Sequence, residues 1–573
     1  MRAAHAAEVN GDLVRLFVRK SGAMQSYYQD PSVSDYDAAF ETLIRHATDA
    51  AGRTARLRRN VETRAVAVDC ARQGMRRPDT WNRIMGVGWA KEAMLAPIQE
   101  QILRAAQELG FRMIRFHGIF DYDMYIYNED SRGRPFYNFT YLDTLFDFFQ
   151  AHDLMPFVEF GFIPPALADA GPTYYNHFSH ICFPKDLHRW TELVAALRHC
   201  INRYGLRQVN QWRFDLFNAV YVYYGLIGEE EWWTLWKATY QTVKDVHRDL
   251  QFGLNEDLGL LQPGYRRFWT YLERCRWEAC MPDFLGFQCF YGDYDMPGDQ
   301  AFRKIYEQET MPLSHSPDEN YLTHKLDWLE NQLTQRGLEP LPVIFELWNA
   351  STWQHDSCND SCFKSAFIVK NILENEGRVQ SFVHWTLSDF MEEVPHVPQV
   401  FHGGYGILTF NGIPKAGYYA MDLLCRLGES CLGKGDGWYI TRDGDDIQLM
   451  LYHYYHYDLL YQPHYTTRND SIFRFENEVS FEICLSHLAP GNYNLTEHCI
   501  SPESGSSYDV WLYMGAPEQM TFGQVEYIKQ VAKPRVSAKM QYTDGTYAFT
   551  TQLRAHEVKL ITLHRLHEGD SAQ

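Results

Sequence analysis

From residue 81 onward, apolar positions along the chain alternate between two rhythms. Short strand-like apolar runs occupy 83–90, 111–119, 155–162, 211–219, 252–255, 284–290, 342–348 and 381–387. Each is followed by a stretch whose apolar residues recur at i, i+3 and i+4: 99–109, 141–152, 186–204, 229–250, 265–280, 321–336, 362–376 and 416–427. Gly110, Gly205, Gly337, Gly377 and Gly428 stand where helices should stop, since glycine tolerates the left-handed turn that ends a helix. Eight strand–helix pairs predict an α/β fold, a (β/α)8 TIM barrel over 81–430, with its chemistry at the C-terminal ends of the strands.

The rhythm changes on either side. Residues 431–573 carry short alternating or apolar runs (438–440, 447–454, 479–484, 558–563), and Asp544-Gly545 reads as a hairpin turn between 540–543 and 546–551. An accessory β-sandwich fits this texture, and the alternating run within 61–80 is expected to join it. Residues 1–60 read as a helical segment: 38–48 is amphipathic, and the basic run 53–59 reads as a solvated helix face.

Composition narrows the class. Apolar residues make up 45 % and charged residues 22 % of 573, an ordinary globular balance. A net charge of −20 argues against nucleic acid and anionic membranes as partners. No apolar run approaches the roughly 20 residues of a spanning helix, and the first twenty residues lack a signal-peptide core, so the expected location is cytoplasmic. The twelve cysteines include no CxxC pair and read as free thiols. His177, His180 and Cys182 form one metal-like cluster, but their short spacing in a polar, aromatic loop does not suit a zinc site; neither metal nor cofactor is expected.

Aromatic residues reach 15 %. Aromatic faces stack on the C–H faces of pyranose rings, while carboxylates and amides hold the hydroxyls, so aromatic strand ends with nearby carboxylates suggest a sugar site. The candidates at the barrel mouth are His117, Glu159, Asn218, Tyr291, Trp348, Trp385, Asp389, Glu392 and Glu393.

Longer motifs sharpen this. RFHGIFDYDM (115–124), YNFTYLDTLFDFF (137–149), PFVEFGFIPPALA (156–168), IVKNILENEG (368–377), HWTLSDFMEE (384–393) and FHGGYGILTFNGIPKAGYYAMDLLCRLG (401–428) punctuate a region that resembles glycoside hydrolase family 39, the β-xylosidase and α-iduronidase family. The likeness is greatest to bacterial β-xylosidase-like members, including those fused to AraC-type regulators. It implies a (β/α)8 barrel with a β-sandwich, a xylose-type glycoside as ligand bound by His117, Asn218, Tyr291, Trp348, Trp385, Glu392 and Glu393, no metal or organic cofactor, and assembly into homo-oligomers.

The catalytic signatures depart from the family. Where members resemble F-E-V-W-N-E-P, with the second Glu as acid/base, this chain reads Phe214-Asp215-Leu216-Phe217-Asn218-Ala219-Val220. Where members read T-E-W-N, with Glu as nucleophile, it reads Phe345-Glu346-Leu347-Trp348-Asn349. A gapless match puts Leu347 at the nucleophile position and leaves Glu346 facing away from the lumen, unless a bulge intervenes. The family's H-x-Y of the sixth strand becomes Gln288-Cys289-Phe290. Three readings follow: a sugar-binding barrel with a degenerate catalytic pair; an active retaining β-xylosidase using Glu346 with a displaced acid, Glu256 or Asp257; and a structural or sugar-sensing partner protein.

Overall fold

The computed structural model describes residues 61–567, except 79–80, 170–172, 175–178, 295–312, 317, 339–340, 352–353, 391–398 and 457–477. The helical reading of 1–60 lies outside the described residues, as do His177, Glu392 and Glu393. Eight parallel strands close into a barrel: β1 (Ile84–Trp89), β2 (Met113–His117), β3 (Met155–Phe160), β4 (Arg213–Leu216), β5 (Gln251–Asp257), β6 (Phe284–Cys289), β7 (Val343–Trp348) and β8 (Ser381–His384). Each pairs with the next, and His384 opposite Met85 closes the ring.

The connecting helices form for the reasons the pattern gives. In Ala96–Leu109, Pro97 opens the first turn, Ile98, Ile102, Ala105 and Leu109 bury one stripe, and Gly110 at φ 78° stops the helix. The helix after β7, Cys362–Glu374, is different. Residues 362–373 are all buried, because barrel and sandwich cover opposite sides of it. Phe367 stacks on Trp348 of β7, and Phe363 meets His556 of the sandwich. Burying each such ring stabilises by about 1.5–3 kcal/mol, so this helix joins the two units through their shared core.

The sandwich draws on both ends of the described chain. A three-stranded sheet holds Glu62–Asp69, Glu478–Ser486 and Thr546–Arg554. A seven-stranded sheet holds Met75–Arg76, Ser430–Gly435, Trp438–Asp443, Asp446–Tyr452, Val558–Arg565, Gly491–Ile500 and Arg535–Thr543. Val66, Phe481 and Leu553 of the first sheet and Ile440, Leu449 and Ile561 of the second share one apolar core.

The Asp544-Gly545 turn is not a hairpin. Arg535–Thr543 pairs with Gly491–Ile500 in one sheet, and Thr546–Arg554 pairs with Glu478–Ser486 in the other. The turn carries the chain between the layers: Gly545 takes φ 131°, and the Thr543 hydroxyl donates to the Thr546 carbonyl and accepts from Gly545 N–H. Dipeptide chemistry specifies a tight turn but not which neighbours its arms will pair with. No helix among the described residues is long and apolar enough to cross a membrane.

Candidate active site

Strand periodicity builds the lumen in layers. Ile84, Met113, Phe157, Phe284, Ile344 and Val383 form an apolar floor inside the barrel. Two residues further along each strand the side chains point inward again, giving Gly86, Arg115, Glu159, Gly286, Glu346 and Trp385. The glycines are spatial necessities. A Cβ on Gly86 would lie 2.9 Å from the Trp385 ring, and one on Gly286 would lie 2.3 Å from Glu346 Oε2.

Glu346 points into the lumen in step with Ile344 two residues before it, and β7 bulges immediately beyond it. Phe287 sits opposite Phe345, but the next residue, Gln288, sits opposite Leu347; across the other edge, Phe382 and His384 oppose Phe345 and Trp348. Phe345 packs edge-on against Phe382, and Trp348 stacks on Phe367, so both rings face the helix layer. Two residues rather than one separate these outward rings. A bulge of this kind leaves both intervening side chains, Glu346 and Leu347, on the inner side.

Around Glu346 lies a fully buried charge cluster. Arg115 Nη2 is 2.7 Å from Glu159 Oε2, 3.4 Å from Asp215 Oδ2 and 3.6 Å from Glu346 Oε2. Asn218 Nδ2 donates to Glu346 Oε1 at 3.3 Å, while Asn218 Oδ1 accepts from Val220 N–H at 2.7 Å and so fixes the amide's orientation. The Asp215 and Glu346 carboxyls both stand beside the Arg115 guanidinium. Three buried carboxyls share one guanidinium. Burial pushes Glu159 up to about 7 against the pull of Arg115. Burial and the Glu346 charge raise Asp215 far above the usual carboxylate range, and burial raises Glu346. Two buried carboxylates on one guanidinium cannot both ionise cheaply, which favours a protonated carboxyl in the Asp215–Glu346 pair.

Above this layer stands an aromatic collar. His117 packs against Trp89 (4.2 Å between centroids, edge-on), Trp385 (5.1 Å) and Phe162 (5.7 Å). Ala219, at the end of β4 beside Asn218, is buried, and its N–H donates to Asn255 Oδ1 at 3.2 Å. Its methyl group offers no proton. An inward carboxylate, flanked by an arginine and an amide, thus lies beneath a ring of aromatic side chains.

The family profile of Glycosyl hydrolases family 39 matches residues 64–547. The chain belongs to this family. Over 500 residues it is 27 % identical to a β-xylosidase of Geobacillus stearothermophilus, covering 86 % of this chain and 94 % of the relative. It is 29 % identical to a β-xylosidase of Caldicellulosiruptor saccharolyticus over 355 residues, 61 % of this chain and 68 % of that one. The fold matches the crystal structure of a monomeric β-xylosidase from Caulobacter crescentus with a TM-score of 0.77 at 24 % identity, covering 88 % of this chain and all of that one.

Not every candidate from the sequence meets in this family-39 mouth. His117, Asn218, Trp385 and Glu346 converge on the lumen with Glu159. Tyr291 lies behind the barrel wall, where its hydroxyl donates to Asn371 Oδ1 at 2.7 Å and its ring packs on Phe367. Trp348 faces the same helix. Tyr291 follows from alternation beyond β6, whereas Trp348, two residues after the inward Glu346, is turned outward by the bulge in β7. Asp389 accepts from Lys415 Nζ at 2.6 Å and Gly406 N–H at 2.8 Å, a buried loop anchor. The displaced-acid candidates have structural partners as well. Glu256 is held by Arg267 and the Tyr265 hydroxyl, and Asp257 caps a helical turn through Gly259 N–H at 2.7 Å.

Arg115, Asp215 and Asp121 escaped the sequence reading. Each had a signal. Arg115 is a charge inside the apolar run Met113–His117, and Asp215 sits likewise in Arg213–Leu216. Asp121 lies in the loop after β2 and accepts from the Trp89 indole at 3.2 Å and the Ser179 hydroxyl at 2.6 Å.

Proposed function

We propose that this chain binds a xylose-type glycoside in the barrel mouth, with Glu346 as the carboxylate facing the anomeric carbon and no proton donor at position 219. One observation carries the reading: Glu346 is turned into the lumen between Arg115 and Asn218, while the adjacent strand end presents Ala219. Retaining hydrolysis uses two carboxyls about 5–5.5 Å apart, one attacking C1 and one protonating the departing oxygen. Only the first role has a residue here. The aryl group of an aryl xyloside leaves as a stable aryloxide as its bond to C1 breaks, so Glu346 can form the glycosyl ester without acid help; water then attacks C1, releases Glu346 and loses its proton to solvent. An alkyl or sugar leaving group has no such exit, and general acid catalysis typically contributes 10²–10⁴-fold. The reading is a glycoside-binding barrel with half a catalytic pair.

Hydrolysis of a nitrophenyl β-xyloside and of xylobiose by the unaltered protein, by Ala219→Glu and by Glu346→Gln tests this. Expected are slow aryl xyloside turnover lost in Glu346→Gln, and xylobiose turnover gained by about 10²-fold or more in Ala219→Glu. Xylobiose cleavage by the unaltered protein at a rate indifferent to Ala219→Glu would overturn the missing-acid reading. Aryl xyloside turnover unaffected by Glu346→Gln would overturn the role of Glu346.

A further inference from the structure

The helix Arg267–Trp277, which leads into β6, ends in a turn that brings two cysteines together. Glu278 closes the helix, Ala279 takes the left-handed φ 53°, and Cys280 N–H then donates back to the Cys275 carbonyl at 2.9 Å. This is the Schellman arrangement, in which the residue after the left-handed one folds over the last helical turn and packs on the residue that accepts its N–H. Here both residues of that contact are cysteines.

The hydrogen bond also bounds their separation. A Cα lies about 2.4 Å from its own carbonyl oxygen and about 1.5 Å from its own nitrogen, so the 2.9 Å bond holds the two Cα atoms no more than about 6.8 Å apart. Disulfides span Cα separations of about 4.4–6.8 Å. Both side chains are buried in the same apolar cluster, but Trp277, Glu278 and Ala279 beside them are exposed. Only the last turn of the helix stands between the pair and solvent.

The two thiols are not equivalent. Hydrogen bonding with the Cys275 thiol lowers Cys280 below the ordinary thiol range, against burial and the Glu278 charge, and Lys237 and Arg274 pull the same way. The same hydrogen bond, together with burial, raises Cys275. Cys280 is therefore the sulfur that ionises first, and the thiolate is the form that attacks.

We propose that Cys275 and Cys280 form a reversible oxidation site that consumes a hydroperoxide and closes an intrachain disulfide across the helix end. The Cys280 thiolate attacks one peroxide oxygen, the O–O bond breaks, and Cys280 becomes a sulfenic acid while hydroxide leaves and takes up a proton. The Cys275 sulfur then attacks the Cys280 sulfur, and the sulfenic hydroxyl departs as water with the Cys275 proton. In sum two thiols lose two hydrogens and hydrogen peroxide becomes two waters. A dithiol reductant reverses the change.

Peptide mapping of the full chain tests this, after treatment with hydrogen peroxide, acid quench and alkylation of the remaining thiols. Trypsin cuts after Arg276, between the two cysteines, so the bridge holds two peptides together until dithiothreitol parts them. The joined species should weigh two hydrogens less than its parts. The longer peptide also carries Cys289, so loss of the joined species in Cys280→Ser assigns the bridge, and its persistence there would overturn the proposal. Cys275→Ser should leave Cys280 as a sulfenic acid that dimedone traps. The unaltered chain supplies the deciding result even where a variant folds poorly. Peroxide oxidation confined to the exposed Cys425 and Cys484, with no joined species, would overturn the site. Dimedone labelling of Cys280 in the unaltered chain without any joined species would overturn the disulfide.

Discussion

Asp121 offers a direct test of the electrostatics at the mouth. It is buried at 4 % exposure, and burial pushes its carboxyl up to about 7, outweighing the hydrogen bonds from Ser179 and Trp89 that favour the charged form. The unfolded chain binds this proton with a pKa near 3.8. A raised folded value means that the stability it lends is full below pH 3.8 and is lost as pH rises through 7. About 3 pH units at 1.36 kcal/mol each give about 4 kcal/mol in all. Between pH 5 and pH 8, where the unfolded state is already ionised, about 2–3 kcal/mol of that remains to be lost. Asp121→Asn keeps an acceptor for the Trp89 indole and the Ser179 hydroxyl but cannot ionise. Urea unfolding of both proteins at pH 5 and pH 8 isolates the effect as a difference of differences, in which every other titrating group cancels. The unaltered protein should lose about 2–3 kcal/mol more than Asp121→Asn over that interval. Equal losses would show that Asp121 does not hold its proton, and the account of this buried carboxyl would fail. The Trp89 ring that donates to Asp121 also stands edge-on to His117, 4.2 Å away, in the aromatic collar.

Arg115→Met should destabilise the barrel by about 3–5 kcal/mol, measured by chemical unfolding, because it leaves three buried carboxyls without their only cation among the described residues. That loss should be smaller at pH 4 than at pH 8, since protonated carboxyls need no counter-charge. Gly286→Ala places a methyl 2.3 Å from Glu346 Oε2 and should cost about 1–3 kcal/mol in stability together with any aryl xyloside turnover. Gly264→Ala adds a side chain that meets nothing within 4 Å, at φ 96°, and should show backbone strain in its melting temperature without loss of that turnover.

Much of this architecture was readable in the residues. The barrel strands announced themselves because each is an apolar run followed by a helix with a 3.6-residue stripe. Inward positions were harder, since in a strand buried on both faces the two sets of side chains look alike. Tyr291 and Trp348 are as aromatic as Trp385, and only register distinguishes the helix-facing rings from the lumen-facing one. Counting back from Trp348-Asn349 turns Glu346 outward, and the bulge that corrects this count is set by how three neighbouring strands align rather than by local composition. Leu347 gave the hint: Phe345-Glu346-Leu347-Trp348-Asn349 is one residue longer than the family's T-E-W-N after its Glu. Gly86 and Gly286 were a second, unused clue, as glycine inside a buried strand marks something bulky lying across it. The helix Cys362–Glu374, buried from 362 to 373, blurred its own amphipathic pattern because the sandwich covers the side that solvent would otherwise take.

The parallel pairing of Glu62–Asp69 with Glu478–Ser486 also fixes an order of events on the ribosome. Thr63 must meet Ser480, some four hundred residues later. At about 5–20 residues per second, the early strand emerges tens of seconds before its partner exists. Throughout that interval it carries an unpaired edge and the apolar side chains of Val66 and Val68, the kind of surface that invites association with other nascent chains. The barrel segments between them can close meanwhile, since their strands are consecutive in sequence. Synthesis would thus yield a finished barrel trailing an orphaned first strand, with the sandwich sealed only as the last strands are released.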